Sequence, residues 1–157
     1  MPPATFDYEK NEAFTELAEG DNAIFESNTR LLVFAASVGY ARNNRIENPG
    51  DDGEVRWNYI GQNNRLSVIV ASIAYADTDD PDVILNPERQ IESLVAYGAG
   101  GARIIKNEIV DEPGDNLDNL VEFLQRHRDV DTLEEQVGIL EQIESEISSL
   151  RPSEEAD

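Results

Sequence analysis

From residue 91 onward, Ile91, Val95, Gly98, Ala102, Ile105 and Ile109 recur in alternating steps of four and three. That spacing keeps one stripe on one face of an α-helix. The stripe runs through Gly98-Ala99-Gly100-Gly101 without losing phase. A glycine inside a helix costs about 0.5–1 kcal/mol relative to alanine. Three of them so close together must either break the helix or let another backbone come near. They do not form a phosphate loop, because no Lys-Ser or Lys-Thr follows and the cluster sits within a helical stripe rather than after a strand. Tyr97, Gly98, Gly100 and Gly101 are therefore assigned to close helix packing or to a partner.

The neighbouring segments supply the rest of a bundle. Residues 8–19 form a helix candidate with Tyr8, Phe14, Leu17 and Ala18 on one side. Ser27 is placed to cap a second helix, in which Leu31, Phe34, Ala35 and Val38 follow helical spacing and Leu32, Val33 and Ala36 widen the stripe. That width predicts a central helix ending near Gly39-Tyr40 or one turn later. Residues 43–64 are punctuated by Asn43-Asn44, Asn48-Pro49-Gly50 and Asp51-Asp52-Gly53, a long loop with room for a short strand near 55–60. Leu66, Ile69, Val70, Ile73 and Ala74 mark another buried helix. Asn86-Pro87 reads as cap and first helical residue. Pro113-Gly114 is a stop, and Asp115 can cap a helix carrying Leu117, Leu120, Val121 and Leu124. The last stripe, with Leu133, Val137, Leu140, Ile143, Ile147 and Leu150, either folds back on its own core or docks on a partner. The reading is mainly α: a single-domain bundle of five to six helices with one long loop. It divides into a flexible arm at 1–7, a core at 8–128, an amphipathic helix at 129–150 and an acidic tail at 151–157.

Charge constrains the setting. There are 33 Asp and Glu against 12 Lys and Arg, a net charge of −21, and only Lys10 and Lys106 are lysines. Such a chain repels itself at low ionic strength. At about 1 M salt the Debye length falls to roughly 3 Å and the repulsion is screened. The composition therefore points to a halophilic, acidic protein of a high-salt cytoplasm. The rival, an acidic DNA mimic, needs carboxylates in register on one face, and here they are scattered. With no cysteine, disulfides and thiolate metal sites are excluded. The opening residues carry no basic-then-apolar signal pattern, and the longest apolar run, residues 31–36, is six residues, far short of a membrane span.

Residues able to do chemistry are few. His127 is the only histidine, and its place in Gln125-Arg126-His127-Arg128 suits a helix C-terminus. Asp77, Asp79, Asp80 and Asp82 form a carboxylate cluster that could attract Mg²⁺ but reads more simply as a solvated turn. No catalytic residue, metal ligand or cofactor is assigned, and the chain is read as not an enzyme. The most suggestive group is Arg42, Arg45, Arg56 and Arg65 with Trp57 among them. Arginine forks fit phosphate and aromatics stack on bases, so these five residues are candidate DNA contacts. Glu47, Asp51, Asp52 and Glu54 offset their charge locally, which leaves a salt-bridged loop as the alternative.

Three stretches bear a family likeness: Phe34-Ala35-Ala36-Ser37-Val38-Gly39-Tyr40 with Leu31, Arg42 and Arg45; residues 66–74 followed by Ile84-Leu85; and Glu92-Ser93-Leu94-Val95-Ala96-Tyr97-Gly98-Ala99-Gly100-Gly101. In order and spacing they resemble the Dnd system-associated protein 4 family, over roughly residues 14–125. The resemblance implies an accessory protein encoded beside DNA phosphorothioation genes, in a prokaryotic anti-phage restriction system, and the salt-adapted composition fits a haloarchaeal version of it. Its implied partners are the other proteins of that system. It implies no catalytic residue. Direct DNA binding through the arginine loop, and a carboxylate-dependent metal enzyme at residues 77–82, stay open as alternatives, and oligomeric state is not fixed.

Overall fold

The computed structural model describes residues 2–127 together with 142, 143, 145 and 146. It is mainly helical with one small two-stranded sheet. The order is β1 (Thr5–Tyr8), α1 (Glu12–Phe14) continued by a π-turn (Thr15–Glu19), α2 (Asn28–Ala41), β2 (Gly53–Arg56), α3 (Asn58–Gly61), α4 (Asn64–Thr78), a 3-10 turn (Pro81–Leu85), α5 (Pro87–Ile105) continued by a π-turn (Lys106–Val110), and α6 (Asn116–Arg126). The chain divides into two units, Met1–Asn119 and Leu120–Asp157.

Local chemistry sets most boundaries. Ser27 Oγ accepts from Arg30 N at 3.2 Å, Asn63 Oδ1 from Leu66 N at 3.0 Å and Asn86 Oδ1 from Arg89 N at 3.2 Å. Each satisfies an N–H that the first helical turn leaves without a partner. Helix α2 ends at Ala41, one residue beyond Gly39-Tyr40, and Asn43 then turns into the left-handed region at φ 54°. Asp79 does the same after α4 at φ 55°.

Helices α2 and α5 form the centre of the first unit. Leu31, Leu32, Val33, Ala35 and Ala36 of α2 are buried, as are Leu94, Ala99, Ala102 and Ile105 of α5. Helix α4 packs against both, through Leu66, Val70, Ile73 and Ala74. Ile69, expected in that buried stripe, is instead 38% exposed. Both faces of α4 are apolar, so periodicity alone does not say which one is covered.

Several expectations are corrected. The arm placed at 1–7 contributes Thr5–Asp7 to a strand: β1 pairs antiparallel with β2, Phe6 opposite Val55 and Asp7 opposite Glu54. Phe6, Tyr8 and Val55 turn inward, and the alternate residues face out. The helix expected over 8–19 starts only at Glu12, because Tyr8 belongs to the strand and Asn11 Oδ1 caps Ala13 N at 2.9 Å. The strand near 55–60 lies at Gly53–Arg56, and the residues after it coil into α3. Leu117, Val121 and Leu124 of α6 are exposed rather than buried. The first unit ends at Asn119. There Asn119 Nδ2 donates to the carbonyls of Ile109 and Glu112, both at 3.1 Å, and closes the turn before α6. In the second unit, residues 142, 143, 145 and 146 are helical and exposed. The rest of the helix expected at 129–150, with Leu133, Val137, Leu140 and Ile147, lies outside the described residues.

Candidate functional site

The glycine cluster leaves α5 unbroken and brings α2 against it backbone to backbone. A Cβ built on Gly101 would sit 1.6 Å from the carbonyl oxygen of Ala35, and one on Gly39 would sit 2.1 Å from that of Tyr97. Only residues without a side chain fit there. Gly100 faces a different neighbour: its Cβ would fall 1.8 Å from the Asn44 carbonyl oxygen. Gly98 meets only the tip of Leu32, at 2.6 Å. With so few side chains in the way, the carbonyls of α5 accept extra bonds: Ile46 N to Ala96 O at 3.1 Å, Asn44 Nδ2 to Gly100 O at 3.1 Å and Asn11 Nδ2 to Ala102 O at 3.0 Å.

This docking fixes the loop after α2, which in turn places Arg45. Its guanidinium meets the Asp77 carboxylate in a fork, Nε–Oδ1 3.1 Å and Nη2–Oδ2 3.1 Å, while Nη1 reaches Glu47 at 3.0 Å. Asp77, in the last turn of α4, has an 11% exposed side chain. Two residues one turn apart on α5 complete its shell: Ser93 Oγ donates to Oδ2 at 2.7 Å and Tyr97 Oη to Oδ1 at 3.1 Å. Arg45 also lies over the Tyr97 ring, 5.7 Å from its centre. Burial works against the Asp77 charge, but the bonds from Arg45, Ser93 and Tyr97 outweigh it and hold the carboxyl below the usual range. The Tyr97 phenol is pushed up, by burial first and then by Asp77. The Arg45 guanidinium is pushed up chiefly by its bond to Asp77. A cavity of about 300 Å³ opens beside this group, lined by Phe6, Arg45, Glu47, Ile91 and Val95.

The arginines of the sequence reading take different roles. Arg42 pairs with Glu108 and Arg45 with Asp77 and Glu47. Arg56 on β2 and Arg65 on α4 are exposed and make no ion pair among the described residues. Trp57 is half-buried, edge-on to Phe6 at 6.4 Å. Arg56 lines a second hollow, of about 310 Å³, with Ser27, Asn28, Glu54 and Tyr59. A larger open cleft of about 1140 Å³, with Glu12, Glu16, Asp21, Asp111 and Asp115 on its walls, carries the sign that repels phosphate.

The carboxylates of residues 77–82 part company. Asp77 faces Arg45, while Asp80 accepts from Asp82 N at 3.0 Å and pairs with Arg89 at 2.7 Å. Among the described residues no three His, Cys, Asp or Glu side chains are grouped to hold a metal. His127 Nδ1 donates to the Phe123 carbonyl at 2.8 Å, a bond between neighbouring turns. Two ties were not read from the sequence. One is the Asp77 group, for which the only local sign was Ser93 and Tyr97 at i and i+4. The other is Arg103, forked onto Glu9 at 2.8 and 2.8 Å.

The family described as DNA sulphur modification system-associated protein 4 matches residues 7–143. No curated protein and no solved structure matches the chain.

Proposed function

The chain belongs to the DNA sulphur modification system-associated protein 4 family, and on that premise we propose that it is a non-catalytic accessory subunit of a DNA phosphorothioation-linked anti-phage restriction system. It acts there through contacts with the system's other proteins, in a high-salt cytoplasm. One observation supports this reading above the rest. The polar group that most resembles a reactive centre is closed on itself, since Arg45, Ser93 and Tyr97 occupy both oxygens of Asp77. A carboxylate held in this way has no free lone pair facing solvent with which to take a proton from a substrate. What the surface does offer is contact area. Leu85 is 88% exposed on the 3-10 turn, next to the exposed Ile84. Large apolar side chains presented in that way suit a partner's pocket.

The test is co-expression with the other proteins of the same modification system, and purification in molar KCl. The expected result is a retained complex, with Leu85→Asp reducing retention at least tenfold. Failure of every system protein to co-purify, or DNA cleavage or modification by the isolated chain, would sink the reading.

A second reading has its own observation: Arg56 and Arg65 are exposed without a carboxylate partner among the described residues. As direct DNA contacts, with Trp57 next to Arg56 in the chain, they would act by short-range hydrogen bonds, because molar salt removes the gain from counterion release. Arg42 and Arg45 would join them only by leaving their carboxylates. Binding to duplexes with and without phosphorothioate, measured in molar KCl, decides this. Unchanged affinity in the Arg56→Ala, Arg65→Ala double variant would remove it.

A further inference from the structure

The outward face of α4 is built like an interface. Arg65, Val68, Ser72 and Tyr75 follow one another along α4 in steps of three and four, with Asp79 capping its end, and all are exposed. Ile69 and Ala76 flank them, also exposed. Val68 is 63% exposed and Tyr75 43%. This is a heptad seam on the side of the helix opposite the core, and among the described residues nothing covers it.

The order of residues along the seam points to what does. It reads cation, apolar, small, apolar, anion, with Ser72 at its midpoint. A surface that meets its own copy across a two-fold axis must be complementary to itself. Two antiparallel α4 helices crossing at Ser72 meet that condition at every level. Ser72 faces Ser72, Val68 faces Ala76, Ile69 faces Tyr75, and Arg65 faces Asp79 of the other copy. Ser72 suits the crossing point, because its side chain is small and its hydroxyl is already bonded to the Val68 carbonyl at 2.7 Å. The end charges are also available, since neither Arg65 nor Asp79 has a side-chain partner among the described residues. Their role is to set register and direction more than affinity.

We propose that a second copy of this chain docks on the outward face of α4, antiparallel, about a two-fold axis at Ser72. The proposal is independent of the accessory role. It also carries a salt dependence of unusual sign. Two chains of net charge −21 repel at low ionic strength, so association tightens as salt screens them.

The experiment measures mass in solution by light scattering or sedimentation, at micromolar concentration, in molar and in dilute KCl. The expected mass in molar KCl is twice 17.5 kDa, falling toward a single chain in dilute KCl and in Val68→Glu at any salt. Because the chain has no cysteine, single thiols report the register. Ser72→Cys should link to its own copy on mild oxidation. Arg65→Cys, about 21 Å from its own copy at 1.5 Å per residue, should not, but should link when mixed with Asp79→Cys. A mass of 17.5 kDa in both salts overturns the proposal. So does a dimer that survives Val68→Glu without linking through Ser72→Cys, because the contact then lies elsewhere. Val68 is on the surface, and circular dichroism of Val68→Glu checks that the fold is intact.

Discussion

Asp77 shows how a single residue can organise three segments. It ties α4 to the loop after α2 through Arg45 and to α5 through Ser93 and Tyr97. Its carboxyl is held below the usual range, which fixes the sign of its pH dependence. A group whose folded pKa is depressed contributes stability above its unfolded value, near 3.9, and that contribution is lost as pH falls through the folded value. Asp77→Asn should lower stability at neutral pH by about 1–3 kcal/mol, the scale of hydrogen bonds to a charged group. The gap between variant and wild type should close on acidification below the ordinary carboxylate range. Urea unfolding at stepped pH in molar KCl checks both. A gap that widens in acid would mean that Asp77 is neutral in the fold. Little of this was legible beforehand. Ser93 and Tyr97 lie on one face of a readable helix, but Arg45 is 32 residues from Asp77, and no periodicity connects them.

At the scale of elements, the caps were readable because capping is local. Ser27, Asn86 and Asp115 each hold an N–H two or three residues ahead. The two-stranded ribbon was less so: β1 is four residues long, and its partner lies beyond two helical segments. The glycine cluster posed a question of packing, and the geometry of α2 against α5 answers it. The positions differ in what surrounds them, so substitution should separate them. Gly101→Ala drives a Cβ into backbone, at 1.6 Å from the Ala35 carbonyl oxygen. It should cost at least about 2–3 kcal/mol, the upper part of the overpacking range. Gly98→Ala meets only a leucine tip that can rotate. The helix gains about 0.5–1 kcal/mol from the alanine, so the net change should stay within about 1 kcal/mol of wild type. Denaturant midpoints for the two variants check this, and equal losses would contradict the crossing geometry.

For the whole molecule, the net charge of −21 makes salt the variable to test. Outward-facing carboxylates outnumber cations so far that some stand directly opposed: Asp7 lies across from Glu54 in the ribbon, a pairing that destabilises a sheet in dilute solution. The fold tolerates it where the Debye length is short. The thermal midpoint should therefore rise steadily from dilute to molar KCl. Each kcal/mol of relieved repulsion should add roughly 2–4 °C for a chain of this length. A midpoint that falls with added KCl would show that ion pairs such as Arg103–Glu9, rather than net repulsion, control stability. The expected salt dependence comes from composition, which does not show which carboxylates are partnered, because that depends on contacts between distant segments.

The α2–α5 crossing has one more consequence. Where Gly39 and Gly101 meet, peptide lies on peptide with no side chain between. Amide protons in such a layer have no route to deuterium except through separation of the two helices. Their exchange should be the slowest in the first unit and should follow its global opening. The crossing thus serves as a built-in gauge: exchange at a few glycine amides reports the stability of this unit at native salt, with no denaturant added.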